Sequence, residues 1–100
     1  MDEFPSTISP SLKNNFEALL FTENLRTLRQ ELYLHVIRGN ESEFYDIDAF
    51  NRKYVKNMTK TRKMIDIVIT ELTSLGWKTF LGFGETGLYI FSDEKPANAY

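Results

Sequence analysis

The chain has 100 residues, no cysteine, a formal net charge of −2 and 42% hydrophobic residues, including eight Phe, five Tyr and one Trp. That is one domain's length with enough apolar material for a core, which excludes a wholly disordered chain. The missing cysteines exclude disulfides, thiol nucleophiles and Cys-ligated zinc, and favour a reducing intracellular compartment, cytoplasmic or nuclear. The acidic start Met1-Asp2-Glu3-Phe4-Pro5 lacks the apolar run of a signal peptide. Met64–Ile69, the longest strongly apolar stretch, is interrupted by Asp66 and far too short for a bilayer, so no membrane role is expected.

Charge is segregated along the chain. Residues 1–48 hold nine acids against four Lys/Arg, and residues 64–100 hold five acids against two Lys. Between them, residues 49–63 hold Arg52, Lys53, Lys56, Lys60, Arg62 and Lys63 and no acid.

Residues 1–10 contain Pro5, Ser6, Thr7, Ser9 and Pro10 and read as an extended arm, with Ser9-Pro10 placed to start a helix. Residues 11–92 read as one α+β domain, and residues 93–100 as a polar tail. Leu12, Phe16, Leu19 and Leu20 lie on one side of a helix, and Phe21, Leu25, Leu28, Leu32 and Val36 continue an amphipathic stripe. Asn14-Asn15 and Thr22 admit either one long helix or a short one followed by a long one. Arg38 and Gly39 suit its end.

Asn40 to Glu43 reads as a polar turn. Asp46 or Asp48 then caps a second helix over Ala49–Lys56, with Ile47, Phe50 and Tyr54 on its buried side. Thr59 or Thr61 caps a third, which Leu75-Gly76 ends. Its Ile67-Val68-Ile69 run also suits a strand, but Leu72 and Leu75 continue the helical period. Trp77–Phe83 and Leu88–Ser92 then form an antiparallel hairpin around Gly84-Glu85-Thr86-Gly87. Trp77, Thr79, Leu81 and Phe83 share one face, and Lys78, Phe80 and Gly82 the other.

The expected fold is therefore α+β: three helices, or four if the first one breaks, followed by a C-terminal antiparallel β-hairpin. In order and lengths it is similar to the winged-helix arrangement, with Lys60–Leu75 as third helix and Trp77–Ser92 as wing. The strand that arrangement carries between its first two helices has no counterpart in the sequence pattern.

No catalytic site is legible. His35 is the single histidine, with no nucleophile or orienting acid indicated beside it. Glu41, Glu43, Asp46 and Asp48 lack the glycine and terminal glutamate of a calcium loop and read as a solvated turn plus a helix cap. Gly82-Phe83-Gly84-Glu85-Thr86-Gly87 lacks the Lys-Ser/Thr of a phosphate-binding loop; Gly84 and Gly87 read as turn residues. No metal, cofactor or small-molecule substrate is expected, and the chain is not expected to be an enzyme.

Two surfaces remain as candidates. The hairpin aromatics Trp77, Phe80, Phe83, Tyr89 and Phe91 fall on both faces, and one face left over from the core would be a protein interface. The hairpin edges would also accept a partner strand. The six cations of 52–63, with Tyr54 nearby to stack on a base, would meet the phosphates of a nucleic acid, although Asp66 and Glu71 oppose this and the chain is acidic. The first helix adds a seam that serves either the core or a self-associating pair. The sequence thus reads as a small interaction or assembly domain, an adaptor or structural component that binds another protein or itself. The alternative is a winged-helix-like nucleic-acid binder. Small parts of large assemblies, virus particles among them, share this composition, as do many bacterial and phage proteins.

Overall fold

A computed structural model describes residues 10–39 and 43–92. The predicted arm, apart from Pro10, and the predicted tail lie outside the described residues, as do Asn40, Glu41 and Ser42.

Helix α1 runs unbroken from Pro10 to Ile37. Thr22 does not interrupt it, because its hydroxyl donates to the Ala18 carbonyl one turn back (3.1 Å) and so stays satisfied inside the helix. Gly39 closes it: its φ is +73° and its N–H reaches the Val36 carbonyl at 2.9 Å. Leu25, Leu28 and Leu32 are buried, with Phe21 and Val36 packed against the same core, so this stripe faces the body of the domain.

A two-residue strand β1, Tyr45–Asp46, follows. It is the strand that the sequence pattern lacked. Two residues carry no periodicity, and the strand exists because Tyr45 pairs with Leu88 and Asp46 with Gly87, more than forty positions away. Asp46 also caps α2 (Ile47–Phe50), accepting from the Ala49 N–H at 3.0 Å. The helix then widens into a π turn, Asn51–Val55, and ends on Lys56 at φ +58°.

Helix α3 spans Met58–Ser74. Its cap is Asn57, which accepts from the Lys60 N–H at 3.1 Å. The expected cap at Thr59 or Thr61 is corrected: Thr61 lies fully buried one turn inside, and its hydroxyl donates to the Asn51 amide oxygen at 2.8 Å. That oxygen also accepts the Asn57 N–H at 2.9 Å, so one Asn side chain joins the π turn, the cap and α3. Gly76 (φ +98°) ends α3, with Gly76 N–H on the Thr73 carbonyl and Trp77 N–H on the Leu72 carbonyl. This two-bond closure satisfies the last carbonyls.

The hairpin is β2 (Lys78–Gly82) and β3 (Gly87–Phe91), with Thr79 opposite Ile90, Phe80 opposite Tyr89 and Leu81 opposite Leu88. Among the described residues the sheet has three antiparallel strands in the order β1-β3-β2. Its inner face puts Leu88 and Ile90 against Leu28, Ile47, Phe50, Met64, Ile65 and Val68. The element order α-β-α-α-β-β is winged-helix-like. Among the described residues no helix is long and apolar enough to cross a membrane.

The turn is Phe83–Thr86, one residue earlier than the sequence suggests, which makes Gly87 a strand residue. Its smallness answers to packing, because a Cβ there would stand 2.8 Å from Phe83 Cδ2 and 2.9 Å from Phe44 Cδ2.

Candidate interaction surfaces

Helix α1 has two apolar faces. The inner one is the core stripe. The outer one carries Phe16, Leu19, Tyr33 and Ile37, which are 58%, 64%, 65% and 62% exposed, with Leu20 and Leu34 exposed beside them. Residues 13–20 are exposed throughout, so the first turns of α1 extend past the body into solvent. The described chain is correspondingly long, 60 × 24 × 20 Å. Scattered exposed apolar residues are ordinary; here Phe16 and Leu19 cluster at one end of the outer face and Tyr33 and Ile37 at the other, beside a cleft, with the polar Glu23, Arg26 and Gln30 between them, and each apolar end is a surface that water solvates poorly.

The cleft lies between the C-terminal half of α1 and the end of α3. Leu32, Val36, Val68, Leu72 and Trp77 form its floor and wall, Tyr33, Ile37 and Leu75 its rim, and its volume is about 450 Å³. Leu75 is the most exposed large apolar residue described. An ion pair fixes one end: Arg29 Nε and Nη2 donate to the two Glu71 carboxylate oxygens at 2.9 and 2.6 Å. The hydrogen bonds from Arg29 hold the Glu71 carboxyl below its usual range and raise the guanidinium. Both side chains are nearly half exposed, so the pair orients the α1–α3 crossing more than it stabilises it.

A second polar anchor ties α1 to the sheet. The Glu31 carboxylate accepts hydrogen bonds from the hydroxyls of both Tyr45 and Tyr54. Burial, then the hydrogen bond to Glu31, pushes the Tyr45 phenol well above its ordinary value. His35 is part of the same region: its Nε2 lies 3.1 Å from the Glu43 carbonyl and its ring packs edge-on to Tyr45. Among the described residues no three His, Asp or Glu side chains converge as metal ligands would. Asp46 is engaged as a cap and Asp48 pairs with Arg52.

The hairpin aromatics fall into three environments. Trp77 packs against the main core from the cleft. Tyr89 and Phe91 are buried, only 2% and 5% exposed, in a second small cluster on the outer face of the sheet, with Phe80 packed against them. Phe83 alone of the five is exposed, and its ring packs tilted against Phe44 with centroids 4.6 Å apart. The outer sheet face is thus largely occupied by its own aromatics.

The six cations of the basic stretch also divide. Arg52 pairs with Asp48, and Arg62 with Glu85 in the hairpin turn at 3.2 Å. The Lys53 ammonium lies 5.1 Å from the centroid of the Tyr54 ring. Lys56, Lys60 and Lys63 are exposed around the start of α3 and make no ion pair among the described residues. Sequence reasoning missed Glu31, Asn51 and the Arg29–Glu71 pair, whose partners lie in other elements. It placed Phe16 and Leu19 in a single seam with Leu25 and Leu28. Their offset from that seam by more than a quarter turn would have separated the two faces.

No family model, no curated protein and no solved structure matches this chain.

Proposed function

We propose that this chain is a non-enzymatic protein-interaction domain, an assembly component or adaptor whose contact surface is the outer face of α1 with the adjoining cleft. The observation that carries this reading is the row Phe16, Leu19, Tyr33 and Ile37, exposed on a helix whose other face is already committed to the core. A helix stub of about a dozen residues is marginal alone in water. A partner covering that row would stabilise it and remove its apolar surface from solvent. His35, bonded to the loop that leads into β1, has a structural partner and fits the absence of chemistry in this reading.

The test is the mass of the native species. Wild-type chain, purified from cells under mild conditions, freed of any tag and loaded at about 100 µM, well above a micromolar Kd, is expected to run well above 11.7 kDa, while Leu19→Asp with Ile37→Asp runs at that mass and keeps its circular dichroism. Wild type running at 11.7 kDa without any companion would refute the reading.

A second reading, nucleic-acid contact, draws on β1, which completes the winged-helix order, and on Lys56, Lys60 and Lys63 at the start of α3. Against it stand Asp66 and Glu71 further along α3 and the neutralised Arg52 and Arg62. Reversing Lys56, Lys60 and Lys63 to Glu would abolish DNA binding if this reading holds. Binding indifferent to salt would count against it.

A further inference from the structure

The outer face of α1 has a repeat. Positions 12, 16, 19, 23, 26, 30, 33 and 37 alternate in steps of four and three, the spacing of a coiled-coil seam. They read Leu, Phe, Leu, Glu, Arg, Gln, Tyr, Ile: apolar or aromatic at both ends, polar in the middle, where Glu23 and Arg26 carry the charges. From the partner-binding reading above, and resting on it, we infer that the partner is a second copy of this chain, paired antiparallel through α1.

The charges decide the direction. In a parallel in-register pair each position meets itself, which sets Glu23 against Glu23 and Arg26 against Arg26. In an antiparallel pair each position meets the one equally far from the middle of the repeat. Glu23 then meets Arg26 of the second copy, Leu19 meets Gln30, and Phe16 meets Tyr33. Every like-charge contact is removed, two cross-chain ion pairs form about the axis, and the projecting first turns of one copy cover the exposed end of the other. Glu23 and Arg26 are well exposed and already pair with each other within one chain (Arg26 Nη2 to Glu23 Oε1, 3.5 Å), so in the dimer the two cross-chain pairs join these two intrachain pairs into a four-charge cluster, without disturbing the core.

The available area sets the strength. Twenty-six helical residues span about 39 Å, and a helix strip about 10 Å wide gives roughly 400 Å² per copy, half of what a standard specific interface uses. The cleft rim adds to both ends, since Leu75 and Trp77 stand beside Tyr33 and Ile37. The expected dimer is therefore weak, on the order of 10 µM in Kd.

The test uses charge exchange and cysteine pairs in the full chain. Glu23→Arg alone makes both central layers Arg–Arg, and Arg26→Glu alone makes both Glu–Glu. Each variant is expected to be monomeric by light scattering at a concentration where wild type dimerises. An equimolar mixture of the two restores the dimer. The chain has no cysteine of its own, so Leu19→Cys with Gln30→Cys gives a clean background. Those positions are about 16 Å apart within one helix, too far for an internal disulfide, so oxidation can only link two chains: an antiparallel pair joins position 19 to position 30 and needs both cysteines, whereas a parallel pair joins each position to itself and links the single variants too. Neither single cysteine variant is expected to link. A Leu19→Cys self-link, or a mixture that stays monomeric, overturns the pairing. A wild-type monomer from about 1 to about 300 µM, bracketing the expected Kd, overturns self-association. If that monomer still forms a Leu19- and Ile37-dependent complex with another protein, the interaction reading survives alone; if it forms none, both fall.

Discussion

Two leucines on one helix test the division of α1 into an inner and an outer face. Leu28 has no exposed surface, and Leu19 is 64% exposed. Leu28→Ala removes buried methyl groups and leaves a cavity among Leu25, Leu32, Met64, Ile65 and Val68, for which about 3 kcal/mol is expected. Leu19 keeps most of its side chain in water already. Burial of its covered third is worth roughly 0.7 kcal/mol, and the better helix propensity of Ala returns a few tenths, so the net loss is under about 0.5 kcal/mol. Against a total stability of about 5–10 kcal/mol, the first substitution is severe and the second small. In melting temperature the difference is about 12 °C or more against about 3 °C, at 4–8 °C per kcal/mol for a domain of this size. Thermal denaturation followed by circular dichroism is the assay, at a protein concentration low enough to keep the chain monomeric. Equal losses, or a Leu19→Ala loss above about 1.5 kcal/mol, would refute the assignment of Leu19 to a face that the monomer does not use.

Three further outcomes are expected. Gly87→Ala forces a Cβ into the Phe44 and Phe83 rings and costs about 1–3 kcal/mol, and Phe44→Leu in the same chain recovers part of it; no recovery in urea unfolding would place the cost elsewhere. Thr61→Val removes a buried hydroxyl from the Asn51 oxygen and costs about 1 kcal/mol, whereas Asn51→Ala loses the Asn57 N–H bond as well and costs more; the reverse order in the same assay would contradict the shared-acceptor arrangement. The raised Tyr45 phenol means that the folded chain holds its proton more tightly than the unfolded chain does. That contribution is fully present below about pH 10 and is lost as pH rises towards the folded value, so stability falls on the alkaline side. Tyr45→Phe, measured by melting at stepped pH, is expected to flatten that fall while lowering stability at neutral pH.

What the sequence makes legible follows the range of the interactions involved. The α1 core stripe, the Asp46 cap, the Gly39 and Gly76 stops and the alternation of the hairpin all depend on residues within a few positions of one another. Strand β1 was invisible because Tyr45–Asp46 is defined by β3 rather than by its own composition. The cap at Asn57 was missed because local preference does not separate Asn57, Thr59 and Thr61; Asn51 does, by drawing the Thr61 hydroxyl into the interior. The conflict over Ile67-Val68-Ile69 resolves as helix because Met64, Ile65 and Val68 bury together against α1 and the sheet. In the candidate surface, the apolar content of α1 and the angular offset of Phe16 and Leu19 from Leu25 and Leu28 are legible in the sequence, but which of the two faces meets solvent is not. The outward Phe16 and Leu19 precede the inward Phe21, Leu25, Leu28, Leu32 and Val36, and Tyr33 and Ile37 sit at their far end, so only the packed body fixes which side faces solvent.

The most direct measurement of the central claim is site-specific photocrosslinking in the cell of origin, with a benzophenone side chain at position 19 on the outer face of α1 and, for comparison, at position 63 on the basic start of α3. A discrete protein adduct is expected from position 19, of this chain's own mass or another's, and none from position 63. No adduct at 19, or an equal adduct at 63, would contradict the assignment of the contact surface to α1.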